Sequence, residues 1–483
     1  MTEPTHSRSP PAAGTLVVIG AGFCGVAVAV QLMRRCAPGT TVCLVNESGR
    51  MARGLAYGTH SPAHLLNVPA GNMSALPDEP DHFLRFCRQQ APEVQPGDFV
   101  SRQIYGDYLE SLLAAHEAGP GGSSLQRIVG RVTSLQPADP GAREPAQLHF
   151  LDGQVLRADH VVLAFGHFAP RSPLSAEDER DAGDGYVHDP WRADALARIG
   201  PDDGVMLVGA GLTSMDVVLS LNAQGHRGPL LSLSRRGLAP VPHRPVGNGP
   251  QHVAGASLMS RLGGTLREMV ATLRAEARTQ ALAGTDWRDL MGALRAATPQ
   301  LWAGLSEADR ARFLRHVRPY WEVLRHRCAP QAHAEHEALV AAGRLQRMAG
   351  RVEGVRRTQA GLEVAVQRRG GGGVERRTVQ AIVNCTGPTA DLSRSSSPLV
   401  HQLLKDGLLC ADRHALGLLV DSRYRVLDKG GLAVPGLNYI GPLLKALHWE
   451  ATAVPELRDH ALRLAQEVSA APGNDKARQE RAL

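Results

Sequence analysis

Three glycines at fixed spacing, Gly20, Gly22 and Gly25, separate an apolar strand-like run (residues 16–19) from an alanine- and valine-rich stretch of helical pattern. In a strand–turn–helix unit of this kind Gly20 permits the tight turn and Gly22 lets a pyrophosphate reach the backbone. Gly25 lets the helix pack closely on the strand. The pyrophosphate rests on the helix N-terminus, where unpaired N–H groups and the helix dipole favour negative charge. With the strand before and the helix after both in place, the motif reads as a dinucleotide site and not as an empty α/β unit. The next apolar run, 41–45, ends in Asn46-Glu47. Glu47 is expected to accept the ribose hydroxyls of an adenine nucleotide, with Asn46 as its rival.

A second turn repeats the first. Residues 205–216 read VMLVGAGLTSMD, so Gly209 and Gly211 recur and Ser214 stands where the third glycine would be. The strand that follows ends Ser234-Arg235-Arg236-Gly237. An acidic residue there would select a free 2′-hydroxyl, whereas arginines suit a 2′-phosphate. Glu47 therefore matches a phosphate-free ribose and Arg235 with Arg236 matches NADPH, the alternative for the arginine pair being a solvated loop. Each turn is followed by the same echo. Residues 128–135, a hairpin through Asp152-Gly153, and the strand 160–167 ending Phe165-Gly166-His167 are answered by 348–355, 362–366 and 381–388.

Three further stretches offer polar groups to a ligand. The loop 54–74 is rich in glycine, asparagine and proline; Asn67, Asn72 and Ser74 can hydrogen-bond a polar ring and Tyr57 offers a flat face. Between 257 and 344 the pattern is helical, and the run 315–327, RHVRPYWEVLRHR, is dense in cations and aromatics. It reads either as a wall for an anionic or planar substrate or as a basic surface helix pair. Near the C-terminus a strand runs into Gly441-Pro442. A helix then starts with Pro455 in its first turn, so that the N–H groups of Thr452 and Val454 face an anion or a carbonyl.

These pieces need a chain of two or three domains, which 483 residues supply. The composition, 43% hydrophobic and 21% charged, is that of a globular protein, and the net charge of +6 is spread along the chain and not gathered in a nucleic-acid stripe. Seven scattered cysteines contain no CxxC, which argues against a dithiol redox centre or a zinc ribbon and for reduced thiols in the cytoplasm. No run is long and apolar enough to span a membrane, and residues 1–13 and 472–483 read as polar tails. Oligomeric state is not legible.

Together these features resemble the two-dinucleotide-binding flavoproteins. More closely, GLAYGTHSPAHLLNVPAGNMSALPDEPDHFLRF, SRQIYGDYL, VLAFGH, FLRHVRPYWEVLRHR and GPLLKALHWEATAVPELR look like the bacterial FAD/NAD(P)-binding proteins, over about residues 15–470. That family is similar to flavin monooxygenases, and a FAD-dependent urate hydroxylase is among its relatives' activities. The resemblance implies an α/β fold of two Rossmann-like domains, for FAD and for an inserted NADPH, with an added helical segment. The expected division is 14–170 and 381–471 for FAD, 200–256 and 345–380 for NADPH, and 257–344 helical.

The resemblance also assigns roles. Gly20, Gly22, Gly25 and Glu47 would hold the FAD pyrophosphate and adenosine ribose, Asn67, Asn72 and Ser74 would pass near the isoalloxazine, and Gly441 and Pro442 would flank the ribityl arm. The helix near Val454 would point its N-terminus at the flavin N1–C2 carbonyl. Gly209, Gly211, Ser214, Arg235 and Arg236 would hold NADPH. The implied reaction passes hydride from NADPH to FAD and then oxygen from O2, through a flavin hydroperoxide, to a small planar or anionic substrate. His167, Tyr320 and Arg244 are the candidates for acid–base work, each with a structural role as its alternative. The competing classes are a reductase passing electrons to a quinone or protein, and a non-enzymatic flavin redox sensor.

Overall fold

The structure, a computed structural model, describes residues 14–470 apart from 140, 143, 193 and 246–257. The two polar tails and the start of the helical segment at Ser257 lie outside the described residues. Within them three sheets form. The first has the order β15-β16-β7-β1-β2-β3, built from β1 (Thr15–Ile19), β2 (Thr41–Asn46), β3 (Ser124–Val129), β7 (His160–Leu163), β15 (Arg425–Leu427) and β16 (Ala433–Tyr439). All its pairings are parallel except β15 with β16. A parallel sheet must be covered on its faces, and its central strands β7, β1 and β2 are accordingly almost wholly apolar runs, whereas the edge strand β3 (SLQRIV) is not. The cover includes α1 (Phe23–Met33), every residue of which is buried. Two further helices, α2 (His82–Gln90) and α3 (Arg102–Ala114), pack on each other and close the long loop that follows β2.

The second sheet repeats this plan. Its order is β13-β12-β11-β10-β9-β14-β8, with β8 (Tyr186–Val187), β9 (Val205–Val208), β10 (Leu230–Ser234), β11 (Leu345–Thr358), β12 (Gly361–Arg368), β13 (Val374–Val379) and β14 (Ala381–Asn384). Its cover includes α4 (Leu212–Ala223). The echo is confirmed to the residue, for Val45 pairs with Ile128 as Leu233 pairs with Met348. The units differ in their meanders. In the first, β4 (Val132–Gln136), β5 (Ala146–Phe150) and β6 (Val155–Ala158) form a separate antiparallel sheet, whereas in the second β11 runs unbroken into β12 and β13.

This topology corrects two expected boundaries. Residues 381–384 are β14, paired with β9 and β8, and so belong to the second unit and not to the FAD half. Residues 186–187, as β8, join that unit too, ahead of the expected start at 200. The two chain crossovers between units meet where Phe168 and Thr389 exchange backbone hydrogen bonds of 2.9 and 3.1 Å.

The helical segment enters after β10 and contains α5 (Leu266–Leu282), α6 (Trp287–Gly304) and α7 (Arg318–Arg325). Helix α8 (Pro330–Ala341), expected to belong to the segment, instead packs on α4 and leads into β11 as the crossover of the second unit. The segment docks on the first unit through Trp302, Phe313, Leu416, Ala446 and Trp449, with the Trp302 and Trp449 rings 4.6 Å apart. Helix α9 (Val454–Ser469) returns to pack on α1. No helix among the described residues is long and apolar enough to cross a membrane.

Candidate functional site

The first glycine turn has the conformation its spacing predicts. Gly20 has φ +112°, and a Cβ there would stand 2.7 Å from the Ala164 carbonyl oxygen. At Gly25 a Cβ would lie 1.8 Å from the Gly20 carbonyl oxygen, so helix and turn touch backbone to backbone. Gly22 caps α1 with no side-chain partner, and the nearest atom to a Cβ there is the Gly54 Cα at 3.7 Å. No side chain therefore caps the N–H groups of the first helical turn, the property a pyrophosphate requires. By contrast, the N-caps Ser101, Thr265 and Asp286 all bond their own helices. Beyond β2, the Asn46 amide is committed to Ser48, with Nδ2 donating to the Ser48 carbonyl at 2.7 Å. Glu47 is left facing solvent, ion-paired with Arg131 of the β3–β4 turn. The rivalry between Asn46 and Glu47 for a ribose thus favours Glu47.

The second turn superposes on the first in backbone terms. Gly209 also has φ +112°, and Gly211 (φ −83°, ψ −165°) matches Gly22 (φ −81°, ψ −167°) as an N-cap without a side-chain bond. Gly20 N–H donates to the Val45 carbonyl at 2.8 Å, as Gly209 N–H does to that of Leu233. This register makes Arg235 the structural counterpart of Glu47 and Ser214 that of Gly25. The hydroxyls of Ser214 and Ser234 are buried without a partner among the described residues, and both flank this turn. An unsatisfied buried hydroxyl is costly, and a bound polar ligand relieves it. Arg235 is exposed, its carbonyl accepting from Arg369 Nη1 at 3.4 Å. Arg236 is turned toward the helical segment, with Cζ 5.0 Å from the Tyr320 ring centre and Nη2 donating to the Arg315 carbonyl at 3.2 Å.

The carboxyl ends of β7 and β16 meet beside the first turn. Tyr439 Oη donates to the Phe165 carbonyl at 3.0 Å and accepts from Leu443 N–H at 3.1 Å. Gly441 (φ +149°) leaves room for that hydroxyl, which a Cβ would approach to 2.4 Å. Pro442 then opens the short turn Pro442–Ala446. His167 follows β7 with its surface exposed, and it lies close enough to Lys445 and Glu322 to feel both charges. Desolvation and then the Lys445 ammonium hold its imidazole down to about 4 against the pull of Glu322, so it is neutral near pH 7. Lys445 is buried, with Nζ 3.1 Å from Glu322 and 4.3 Å from the Trp449 ring centre. Glu322 also receives His326 at 2.9 Å and Arg318 at 3.2 Å, and its carboxyl is held well below the usual range, the ion pairs outweighing its desolvation.

Several expected site residues are occupied with structure instead. Ser74 is fully buried and its hydroxyl donates to the Glu79 carbonyl at 2.6 Å, closing a turn. Asn72 is exposed at the end of the turn Ala70–Asn72, and the Asn67 carbonyl accepts from His243 Nε2 at 2.9 Å. Thr452 N–H is bonded to the Glu450 carbonyl at 2.6 Å, so at the start of α9 Val454 offers the open N-terminus and Thr452 does not. Arg244 forms ion pairs with Asp286 at 3.3 Å and Asp289 at 2.8 Å, which tie the loop after β10 to α6. Tyr320 is half-exposed beneath Arg236.

Other groups gained significance only from the fold. Arg102 on α3 grips Asp216 on α4 at 2.8 and 3.2 Å, a nearly buried pair between the two units. His64 reinforces it, bonded to Thr59 Oγ1 at 2.6 Å and Ser220 Oγ at 2.7 Å. Lys445 and Glu322 sit in stretches already noted, but nothing in their spacing reveals that they meet.

Residues 17–168 match the family model described as FAD-NAD(P)-binding. No curated protein sequence matches the chain. Among solved structures, L-lysine 6-monooxygenase from Pseudomonas syringae is similar at TM-score 0.63 and 18% identity, over 94% of this chain and 99% of that one. The ornithine N-hydroxylase of Kutzneria sp. 744, with reduced FAD, NADP+ and L-ornithine, gives TM-score 0.60 and 14% identity over 95% and 99%. Thioredoxin reductase from T. acidophilum gives 0.52 and 11% over 95% and 98%. At these identities the likeness establishes a shared fold of two dinucleotide-binding units.

Proposed function

We propose that the chain is a FAD-dependent NADPH oxidoreductase of monooxygenase type that hydroxylates a small planar or anionic substrate. The observation that carries this reading is the pair of matching uncapped glycine turns, one followed by Glu47 and the other by Arg235. Gly20, Gly22 and Gly25 hold the FAD pyrophosphate, Glu47 the adenosine ribose, Gly441 and Pro442 the arm toward the flavin, and the N-terminus of α9 at Val454 the ring's pyrimidine edge. Gly209, Gly211 and Ser214 hold the pyrophosphate of NADPH, with Arg235 on its 2′-phosphate and Arg236 beside it. When bound, FAD would supply hydride acceptance and oxygen chemistry, which these residues position. Neutral His167 presents one N–H donor and one lone pair to the cleft, and Lys445 Nζ lends it a fixed positive field. Helix α7 walls this cleft and excludes water. The activities of the structural neighbours, an L-lysine 6-monooxygenase and an ornithine N-hydroxylase, support the reaction type.

The test is NADPH-driven O2 uptake by FAD-loaded protein across a panel of small planar and anionic compounds, urate included, under 18O2. The expected result is that one compound raises uptake and carries the label. Electrons emerging on an added quinone with none on O2 would establish a reductase instead.

A further inference from the structure

Where the helical segment meets both units, five arginines surround four carboxylates. Arg244 pairs with Asp286 and Asp289, and Arg288 Nη1 lies 3.2 Å from Asp286. Arg295 Nη2 donates to Glu456 at 2.7 Å, while Arg325 lies 2.7 Å from Glu450 and 3.6 Å from Glu456. The fifth, Arg327, contacts no carboxylate among the described residues. Its Nε donates to the Leu324 carbonyl at 3.1 Å, and its Cζ lies 5.4 Å from the Trp287 ring centre, which Arg288 also approaches at 4.6 Å. Desolvation first, then Arg325 and Arg288, lower its guanidinium to about 10. Asp286 opposes this from beyond ion-pair distance, so Arg327 is a partly desolvated cation without an ion-pair partner among the described residues.

Its neighbour in the chain lies where the two units and the helical segment meet. The adjacent Cys328 exchanges backbone hydrogen bonds with Val241 at 3.1 Å and His243 at 3.0 Å, and His243 reaches the Asn67 carbonyl. Cys328, Asn67 and Leu212, the first residue of α4, line one small cavity. Loop of the first unit, glycine-turn helix of the second and the end of the helical segment therefore converge at Cys328, the residue after Arg327. His243 brings no charge of its own, since burial and then Arg327 hold it down to about 4.

We propose that Arg327, which shares the Trp287 ring with Arg288, is the docking point for the carboxylate of the substrate, which makes the substrate a small carboxylic acid. A guanidinium whose charge is satisfied by an aromatic ring and not by a carboxylate keeps its in-plane N–H fork for a bidentate carboxylate. The inference rests on the proposed oxidoreductase reading, whose cleft it completes. An anion of NADPH is the competing source of the same chemistry.

Benzoate titrated calorimetrically into the FAD-loaded protein, with neutral benzamide as its isostere, tests the assignment without turnover. Benzoate is expected to bind at least tenfold more tightly than benzamide. Arg327→Met should lose that tenfold while the dissociation constant for NADPH stays put, and Arg327→Lys should keep part of it. Because the variant removes a desolvated charge that Arg325 and Arg288 repel, Arg327→Met is also expected to melt higher than the parent. Benzoate binding that is absent from the parent or unchanged in Arg327→Met overturns the proposal. A lower melting temperature overturns it by making Arg327 a structural strut, and a weakened NADPH complex by giving the anion site to the nucleotide. A protein whose flavin NADPH cannot reduce would sink the oxidoreductase reading while leaving the benzoate result to stand or fall alone.

Discussion

The two glycine turns share a backbone, and three of the side-chain differences between them bear on what each can hold. Gly25 is answered by Ser214, Ala27 by Asp216 and Glu47 by Arg235. Helix α1 presses its backbone onto the Gly20 carbonyl and is buried along its whole length, its Ala27 lost in the core. Helix α4 carries a Cβ at the position where α1 cannot, and through Asp216 it reaches out to Arg102 of the other unit. The first turn is therefore built as a permanent seat, closed on itself. The second is built to be held in register with the first from outside. This is the difference expected between a resident cofactor and a nucleotide that comes and goes.

Exchanging the third position should break the comparison most severely. Gly25→Ser places a Cβ 1.8 Å from the Gly20 oxygen and is expected to give colourless protein, read as flavin absorbance per chain. Ser214→Gly, the reverse exchange, is expected to leave flavin content and fold intact, since it only removes a buried unpaired hydroxyl. Next in size is the link between units. Asp216→Ala strands Arg102 in a nearly buried place and is expected to cost about 3–5 kcal/mol, with calorimetry resolving two transitions in place of one. Arg235→Glu, which copies the first turn's chemistry into the second, should move the NADPH/NADH preference by about 2 kcal/mol toward NADH in kcat/KM for flavin reduction. Unchanged preference would reduce Arg235 to a solvated loop residue.

The smallest effect should touch both units alike. His336 in the second unit is held down to about 4 by desolvation and then Arg347, and His460 in the first to about 3 by desolvation and then His448. Both are buried. Folding favours their neutral forms, so this stability is complete above the unfolded value near 6.5 and is lost as pH falls toward 4. Melting at pH 4.5 is expected several degrees below that at pH 7.5, as one transition; a pH-independent melt would contradict the burial of both rings.

What sequence could reveal was what lies within one turn or one pairing. The glycine spacings, the residue after each second strand and the repeated strand pattern all proved to be in register, because each follows from local backbone geometry. The division at 380/381 went astray although the echo had marked Ala381–Asn384 as a counterpart of β7, since allocation to a sheet is settled by its neighbours β9 and β8. Ser74, Thr452 and Arg244 looked available for a ligand because their partners, Glu79, Glu450 and the Asp286–Asp289 pair, become visible only in the fold. For the same reason the meeting of Lys445 with Glu322, separated by 123 residues, has no signature in spacing.

The central claim is that the first turn seats FAD and the second delivers NADPH to it. Anaerobic stopped-flow mixing of the yellow protein with NADPH, and separately with NADH, tests it most directly. Rapid bleaching of the flavin band by NADPH, at least tenfold faster than by NADH at equal concentration, is the predicted result. A flavin band that neither nucleotide bleaches would contradict the account.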